Sequence, residues 1–185
     1  MSTTQTGNIS NLKFRIATNN DVTDIVALVH SAYRGESSRA GWTTEADFLD
    51  GTRTDSQEVS DIINTPDNLI LLCEQANPLL ASVHLQKQGN TAYLGMFAVH
   101  PAMQNTGIGK SLLHAAELMA QQQWQCDHIH MTVITLRSEL IAWYERRGYQ
   151  HTGILKPFPY GQPRYGMPKR DDLLLEVLEK KFKTS

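Results

Sequence analysis

Residues 104–110 read Gln-Asn-Thr-Gly-Ile-Gly-Lys and stand between an apolar run, residues 93–99, and a helical pattern that begins near Gly107. A strand, a glycine-bearing turn and a helix start in this order form an anion site, because the first N–H groups of a helix have no partner inside it. The helix dipole adds roughly half a positive charge at that end, and glycine lets a phosphate approach the main chain closely. The stretch therefore predicts a protein that holds a phosphate-bearing ligand with its backbone.

Two other phosphate-binding motifs fit this loop less well. The loop of the nucleotide hydrolases needs a glycine five positions before Gly109, where this sequence has Gln104. The dinucleotide-binding fingerprint needs a third glycine at the position of Leu112 and follows the first strand of a domain rather than a strand in mid-chain. Both remain weaker alternatives, and the nucleotide-hydrolase reading predicts Mg-ATP binding.

Composition and charge bound the class of protein. The 185 residues are 41% hydrophobic and 19% charged, with a formal net charge of −2, so we expect a globular protein without broad attraction for nucleic acid. No apolar run approaches the ~20 residues of a membrane span, and the N-terminus lacks the apolar core of a signal peptide. We predict a cytoplasmic protein with no membrane partner, comprising a flexible tail over residues 1–11 and a single domain over residues 12–185.

The order of hydrophobic patterns predicts a mixed α/β fold. Strands are expected at residues 12–17, 69–74, 79–86, 91–99 and 128–134, and a further strand begins at Tyr149. Residues 173–182 could form a strand or a helix, and the strand is preferred. A first helix, capped by Asn19, Asn20 or Asp21, is expected to end at about residue 33. A second helix is expected at residues 44–63, with an interruption near Gly51. Two further helices are expected at residues 107–122 and 138–147.

The wider pattern resembles the GNAT superfamily of acyl-CoA-dependent N-acetyltransferases. Its Gln/Arg-x-x-Gly-x-Gly/Ala signature is met by Gln104, Gly107 and Gly109, and its aromatic-Tyr-x-x-x-Gly-aromatic element is met at residues 143–149, each on the expected element type. The resemblance follows the element order across most of the chain but is specific only over about residues 93–150. It implies an α/β (α+β) fold with a central, mostly antiparallel mixed sheet, splayed at its middle strands and flanked by about four helices.

The resemblance also implies where acetyl-CoA would bind as acyl donor. The diphosphate would rest on the N–H groups of the loop, with Lys110 adding charge, and the pantetheine arm would pair with the edge of the preceding strand, as an added strand does. The implied cofactor-binding residues are Phe97, Ala98, Val99, Gln104, Asn105, Thr106, Gly107, Ile108, Gly109 and Lys110.

Tyr144 is the implied catalytic residue, because the family has a tyrosine near the thioester sulfur at this position. The reference pKa of tyrosine is near 10 and that of a thiol about 8.5, so complete proton transfer to the departing thiolate is uphill by roughly 2 kcal/mol. Tyr144 is therefore expected to donate a hydrogen bond as much as a proton. A backbone N–H of the strand at residues 93–99 is expected to polarise the carbonyl oxygen.

One departure from the family pattern bears on the acceptor. Many members have asparagine seven positions before the tyrosine, where this chain has Arg137, which raises the hypothesis that Arg137 faces an anionic part of the acceptor or of the donor. Arg34, Arg39 and Arg53 fall in the region that shapes the acceptor pocket in the family. Together with Tyr33 and Trp42 they suggest a pocket for a small amine that also bears a negative or planar group.

The remaining reactive side chains give weaker signals. Glu36, Glu74 and His84 are candidate proton acceptors, although an amine with a pKa near 8 is already about a tenth neutral at pH 7 and could lose its proton to water. Cys73 and Cys126 have no recognisable nucleophile setting, which argues against a covalent acyl-enzyme. We expect no metal site, because His128 and His130 have no further ligands at suitable spacing.

These observations predict transfer of an acetyl group from acetyl-CoA to a primary amine by direct attack in a ternary complex. The alternative is a non-catalytic acyl-CoA-binding sensor or interaction module. The acceptor is left open between a small-molecule amine and a peptide amine, and the resemblance leaves a homodimer open as well.

Overall fold

The computed structural model describes residues 11–76 and 78–183, in which a seven-stranded sheet is flanked by helices. The strands are β1 (Lys13–Ile16), β2 (Leu49–Asp50), β3 (Asn68–Glu74), β4 (Leu79–Gln88), β5 (Thr91–Val99), β6 (His128–Ile134), β7 (Gln150–Pro157), β8 (Met167–Pro168) and β9 (Leu174–Lys181). The α-helices are α1 (Val22–Tyr33), α2 (Gly35–Ser38), α3 (Ser56–Asn64), α4 (Ile108–Leu118) and α5 (Ser138–Glu145), and a π-helical turn, Met119–Gln123, extends α4.

The main sheet has the order β1-β3-β4-β5-β6-β9-β7, and β2 pairs with β8 separately. All neighbours in the main sheet are antiparallel except β5 and β6, which are parallel and pair only from Thr91–His128 to Tyr93–His130. Beyond Tyr93 the two strands diverge. The predicted mixed, mostly antiparallel sheet that splays at its middle strands is confirmed.

A β-bulge in β5 accompanies this divergence. Met96 and Phe97 together oppose Val83 of β4, and Met96 has a left-handed φ of 47°. An extra residue shifts the alternation of side chains by one, so Ala92 and Leu94 pack in one core while Met96 and Ala98 pack in the other. The bulge also increases local twist, which helps to separate β5 from β6 and to open a cleft between them.

Each face of the sheet is covered by helices whose apolar side faces inward. One core joins β3, β4, β5 and β6 to α4, in which Ile108, Leu112, Leu113 and Ala116 are buried. The other joins α1 and α3 to the opposite face. Gly107 precedes α4 with a φ of 91°, so the helix begins where the sequence predicted.

Comparison with the remaining predictions gives one correction. The expected helix at residues 44–63 is wrong in its first half, because Glu45–Phe48 forms turns, β2 follows, and helix begins only after Asp55, whose side chain accepts a hydrogen bond from the Glu58 N–H at 2.8 Å. Gly51, with a φ of 79°, follows β2 and lies before that cap. The final strand is confirmed as β9. Of the tail predicted at residues 1–11, residues 1–10 lie outside the described residues.

Candidate active site

The cleft between β5 and β6 contains two cavities on either side of a shared wall. The first has a volume of about 320 Å³ and includes the loop at residues 104–110; the second has a volume of about 170 Å³ and lies toward β2 and the segment around Tyr165. The shared wall consists of Tyr33, Phe97, Arg137, Leu140 and Tyr144. We call these the loop cavity and the inner cavity.

The loop supplies the loop cavity with unpaired main-chain donors. Asn105 and Gly107 have left-handed φ values of 64° and 91°, and the tight turn they make leads into the first turn of α4. Within the described residues, none of the amides of residues 105–110 donates a hydrogen bond to a protein acceptor. Lys110 is exposed at the rim and has no ion pair with a described residue. The loop is therefore a positively polarised cradle for an anion.

The side-chain amide of Gln104 makes its hydrogen bonds with other groups of the protein. Its oxygen accepts a hydrogen bond from the Trp42 N–H at 2.8 Å, and its nitrogen donates to the Thr43 hydroxyl at 2.8 Å and to the Val99 carbonyl at 3.1 Å. A Cβ at Gly41 would lie only 2.5 Å from the Gln104 oxygen, so a side chain there would displace the Gln104 amide from these positions. Gln104 thus ties the loop at residues 41–43 to the end of β5.

The predicted donor-site residues differ in what they present to the loop cavity. Seven of them line it, namely Phe97, Val99, Gln104, Asn105, Gly107, Gly109 and Lys110. The side chains of Ala98 and Ile108 are buried in the two cores, and the Thr106 hydroxyl donates to the Met103 carbonyl at 2.5 Å. Only the main chain of these three residues is available to a ligand.

Tyr144 lies in the wall between the two cavities. Its ring contacts Trp143 and Tyr149 edge-on, with centroid separations of 5.0 and 5.4 Å, and the residue is only 3% exposed. Its hydroxyl makes no hydrogen bond with a described residue. Burial raises the pKa of Tyr144, so the phenol stays protonated and can act as a donor across the physiological range.

The bulge of β5 forms the other side of this wall. Phe97 is its second residue, and its carbonyl accepts a hydrogen bond from the hydroxyl of Tyr33. Because β6 no longer pairs with β5 beyond Tyr93, this stretch of main chain borders both cavities. Tyr33 and Trp42, predicted at the acceptor pocket, are both present, Trp42 in the loop cavity and Tyr33 in both.

A buried charge cluster lies beside the inner cavity. Glu45 accepts hydrogen bonds from Arg34 and, at 3.0 Å, from Arg137, which also donates to the Thr43 carbonyl. Burial opposes the ionisation of Glu45, but the positive charges of Arg137, Arg34 and Arg53 outweigh it and hold its pKa below its usual range. Arg137 lines both cavities, as the hypothesis of a ligand contact requires, but its charge is already shared with Glu45.

The candidate proton acceptors are mostly distant from the cavities. Glu36 is exposed and paired with Arg39, and Glu74 is paired with Arg15 at the edge of the sheet. His84 instead lines an outer cavity of about 460 Å³ that opens toward Tyr93 and Arg53. Burial, with a smaller contribution from Arg53, lowers the pKa of His84 to about 4, so it is neutral at pH 7.

Several residues of the site were not predicted from the sequence. Thr43 lies just before the segment that was expected to be helical and Glu45 lies within it, and the guanidinium carbon of Arg147 is 3.6 Å from the centre of the Trp143 ring. Phe158 and Tyr165 line the inner cavity from the segment between β7 and β8. Arg147 contacts Trp143 four positions earlier in the chain, whereas the other four residues reach the site only through tertiary contacts that no local pattern marks.

Other chemistries find little support among the residues that the structure describes. Both cysteines are buried thiols, and burial raises the pKa of Cys73 to about 11, which disfavours a thiolate nucleophile. The described part of the chain has no group of three or more His, Cys, Asp or Glu side chains that could hold a metal ion. None of its helices combines the length and apolar character that crossing a membrane requires.

Comparison with known proteins finds one matching family model and several solved structures with a similar fold. Residues 66–151 match the family model of the acetyltransferase (GNAT) domain. The ribosomal-protein-S18-alanine N-acetyltransferase from Escherichia coli is 14% identical, with a TM-score of 0.69 over 94% of this chain and 96% of that one. A Vibrio cholerae spermidine N-acetyltransferase chimera is 16% identical, with a TM-score of 0.67 over 93% and 96%.

A further similar structure contains the expected acyl donor. It is described as a streptothricin acetyltransferase from Bacillus anthracis in complex with acetyl coenzyme A, and is 20% identical with a TM-score of 0.56 over 68% of each chain. At these identities the structural likeness establishes a shared fold, and the match to the family model covers the strands and the loop that form the loop cavity.

Proposed function

We propose that this chain, whose residues 66–151 match the acetyltransferase (GNAT) domain model, moves an acetyl group from acetyl-CoA to a primary amine by direct attack in a ternary complex. The observation that carries this proposal is the pair of cavities that meet at Tyr144 and Phe97. Two substrates can approach from opposite sides of one wall, so no covalent enzyme intermediate is needed.

The donor occupies the loop cavity in this proposal. Its diphosphate accepts hydrogen bonds from the free amides of residues 105–110, and Lys110 adds a positive charge at the rim. The pantetheine arm runs along the β5 edge that β6 leaves unpaired after Tyr93, which brings the thioester toward the bulge at Phe97. Backbone donors perform most of this binding, which explains why small residues stand in the loop.

The reaction forms a C–N bond and breaks the C–S bond of the thioester. The neutral amine attacks the carbonyl carbon, and the sulfur leaves with the bonding electron pair as a thiolate. Tyr144 donates a hydrogen bond to that sulfur, since burial raises its pKa and makes complete proton transfer less favourable than for an ordinary tyrosine. The proton lost by the amine passes to water, and the thiolate takes up a proton from water, so the products are an acetamide and the free thiol of coenzyme A.

The test is release of the coenzyme A thiol from acetyl-CoA in the presence of a panel of primary amines. We expect thiol release that depends on the amine, with initial rates that fit a ternary-complex mechanism when both substrates are varied. Thiol release without any amine acceptor, or parallel double-reciprocal lines, would contradict direct transfer. A non-catalytic acyl-CoA-binding protein would bind acetyl-CoA and release no thiol with any amine.

A substitution at Gly107 tests the donor cradle. Gly107→Ala adds a side chain at a φ of 91°, where an L-residue costs about 1–2 kcal/mol, so the loop relaxes away from the cradle geometry. We expect the dissociation constant of acetyl-CoA, measured by calorimetry, to rise about tenfold.

The matched control is Gly89→Ala. Gly89 also has a left-handed φ, of 63°, and a Cβ there would meet no atom within 4 Å, but it belongs to the turn between β4 and β5, away from the loop cavity. It should lose comparable stability and keep the affinity of the wild type. Equal losses of affinity in both variants would attribute the effect to backbone strain alone.

A further inference from the structure

Arg53 differs from the other arginines at the acceptor side of the cleft. Its side chain is half-buried and lines both the inner cavity and the outer cavity, and its guanidinium carbon lies 6.0 Å from the centre of the Tyr33 ring. It makes no hydrogen bond or ion pair with any residue that the structure describes. A half-buried guanidinium has five N–H donors, so Arg53 presents a full set of donors to whatever occupies the cavity.

The neighbouring arginines already have carboxylate partners, although the buried Nε of Arg34 has no hydrogen-bond partner among the described residues. Arg34 and Arg137 share the carboxylate of Glu45, and Arg164, at the outer cavity, donates to Glu58 at 2.9 Å. These pairs leave Arg53 as the guanidinium without a carboxylate partner among the described residues that line the inner cavity.

The inner cavity therefore carries an excess of positive charge. Three guanidiniums line it, from Arg34, Arg53 and Arg137, and Glu45 is the only carboxylate among its described lining residues. Glu45 remains ionised, because the three arginines together lower its pKa. Such a cavity disfavours a polycationic acceptor and favours one that brings a negative charge.

We infer that the amine acceptor is a small amino carboxylate, whose carboxylate is bound by Arg53 while its amine meets the thioester at the wall formed by Phe97 and Tyr144. This inference rests on the proposed acetyl transfer and names the substrate class of that reaction. A planar guanidinium can hold a carboxylate with two parallel hydrogen bonds, which fixes the orientation of a small molecule. The volume of about 170 Å³ lies below the range of about 300–1,000 Å³ that is typical for drug-sized ligands, which suits a small acceptor.

The position of Arg53 also sets the direction of the acceptor. Arg53 stands at the boundary between the inner and outer cavities, together with Tyr93, Gly95, Met96 and Tyr165. An acceptor held there by its carboxylate points its amine inward, toward the wall, and can extend a further substituent into the outer cavity. The acidic side chains of that cavity are engaged, Glu58 by Thr54 and Arg164, and Asp61 by Gln57.

The experiment compares primary amines in matched pairs, each carboxylate beside its carboxamide, with one to four carbons between amine and carboxyl group. Thiol release gives kcat/KM for each member at saturating acetyl-CoA. In the wild type we expect the carboxylate to exceed its carboxamide at least tenfold in one or more pairs. Arg53→Gln should raise the KM for that carboxylate by about 10- to 100-fold, because a charge-assisted bidentate contact is lost, and should bring the pair close to equality.

Two further variants separate a contact from a general effect. Arg53→Lys keeps the charge but loses the paired geometry, so part of the preference should remain. Arg170→Gln removes an exposed guanidinium that pairs with Asp172 and lines none of these three cavities, and it should keep the full preference. The KM for acetyl-CoA should be unchanged in all three variants.

Different results would overturn the amino carboxylate acceptor and the proposed acetyl transfer. Acetyl transfer to neutral amines, polyamines or peptides with no preference for carboxylates, or a preference that survives in Arg53→Gln, would overturn the amino carboxylate while leaving the acetyltransferase activity intact. Binding of acetyl-CoA without thiol release from any amine would overturn the proposed function and this inference together. Thermal unfolding verifies that each variant is folded, and if Arg53→Gln does not fold, the reduced preference expected of Arg53→Lys decides the question.

Discussion

Replacement of Tyr144 by phenylalanine is expected to lower kcat for acetyl transfer about 100-fold and to leave the fold intact. A hydrogen bond to a charged group contributes about 1.5–3 kcal/mol, and each 1.4 kcal/mol corresponds to a factor of ten in rate. The hydroxyl has no partner among the described residues, so its removal breaks no hydrogen bond of the free protein. The measurements are kcat by thiol release, the dissociation constant of acetyl-CoA by calorimetry and the melting temperature.

Tyr149 provides a matched control on the same ring cluster. Its hydroxyl donates to Glu117 at 3.1 Å, it is 2% exposed, and it lines neither the loop cavity nor the inner cavity. Tyr149→Phe should therefore lower the melting temperature and leave kcat unchanged, the reverse of Tyr144→Phe. A Tyr144→Phe enzyme with the kcat of the wild type would remove Tyr144 from the reaction.

The pH dependence of kcat tests the state of the phenol. Because burial raises the pKa of Tyr144, its hydroxyl remains a donor well above the ordinary tyrosine pKa of about 10. We expect the phenol to cause no loss of kcat between about pH 8 and pH 10, so the wild type and Tyr144→Phe should have pH profiles of the same shape in this range. Such an alkaline loss, present in the wild type alone, would mean that the phenol ionises in this range.

The geometry of the loop at residues 104–110 could be predicted from the sequence because its determinants are local. The strand before the loop, the glycines within it and the helix after it are adjacent in the chain, so residues 93–118 specify both the element types and the amide cradle. The bulge could not be predicted. Residues 92, 94, 96 and 98 are all buried, as in a strand with one apolar face, and only pairing with β4 reveals that the face changes between Leu94 and Met96.

The inner cavity was harder to predict because the residues that meet there are distant in the sequence. Arg137 pairs with Glu45 across 92 positions, and Glu45 lies in a stretch whose apolar spacing favoured a helix that does not form. Arg137 alone indicated an anion, and the sequence could not distinguish an anionic ligand from a carboxylate of the protein. The structure shows that the guanidiniums lining the inner cavity outnumber its carboxylate, Glu45, and the anionic ligand stays a prediction.

Removal of the Glu45 charge is expected to destabilise the protein by about 3 kcal/mol at pH 7. Glu45→Gln leaves Arg34 and Arg137 buried beside each other with a single carbonyl oxygen to share, and breaking a buried ion pair from one side costs about 3–5 kcal/mol. Urea unfolding measures the difference. The control is Glu36→Gln, whose side chain is 92% exposed and pairs with Arg39, and it should change the free energy of unfolding by less than about 0.5 kcal/mol.

The same pair of proteins gives a pH test with a defined sign. The arginines hold the pKa of Glu45 below its value in the unfolded chain, which is about 4.3. Its contribution is therefore complete above that pH and is lost as the pH falls through the lower folded-state pKa. The gap in unfolding free energy between wild type and Glu45→Gln should be constant from pH 7 to about pH 5 and shrink in more acidic solution. Because all other carboxylates titrate in both proteins, a gap that stays constant to about pH 3 would mean that Glu45 does not stabilise the cluster by its charge.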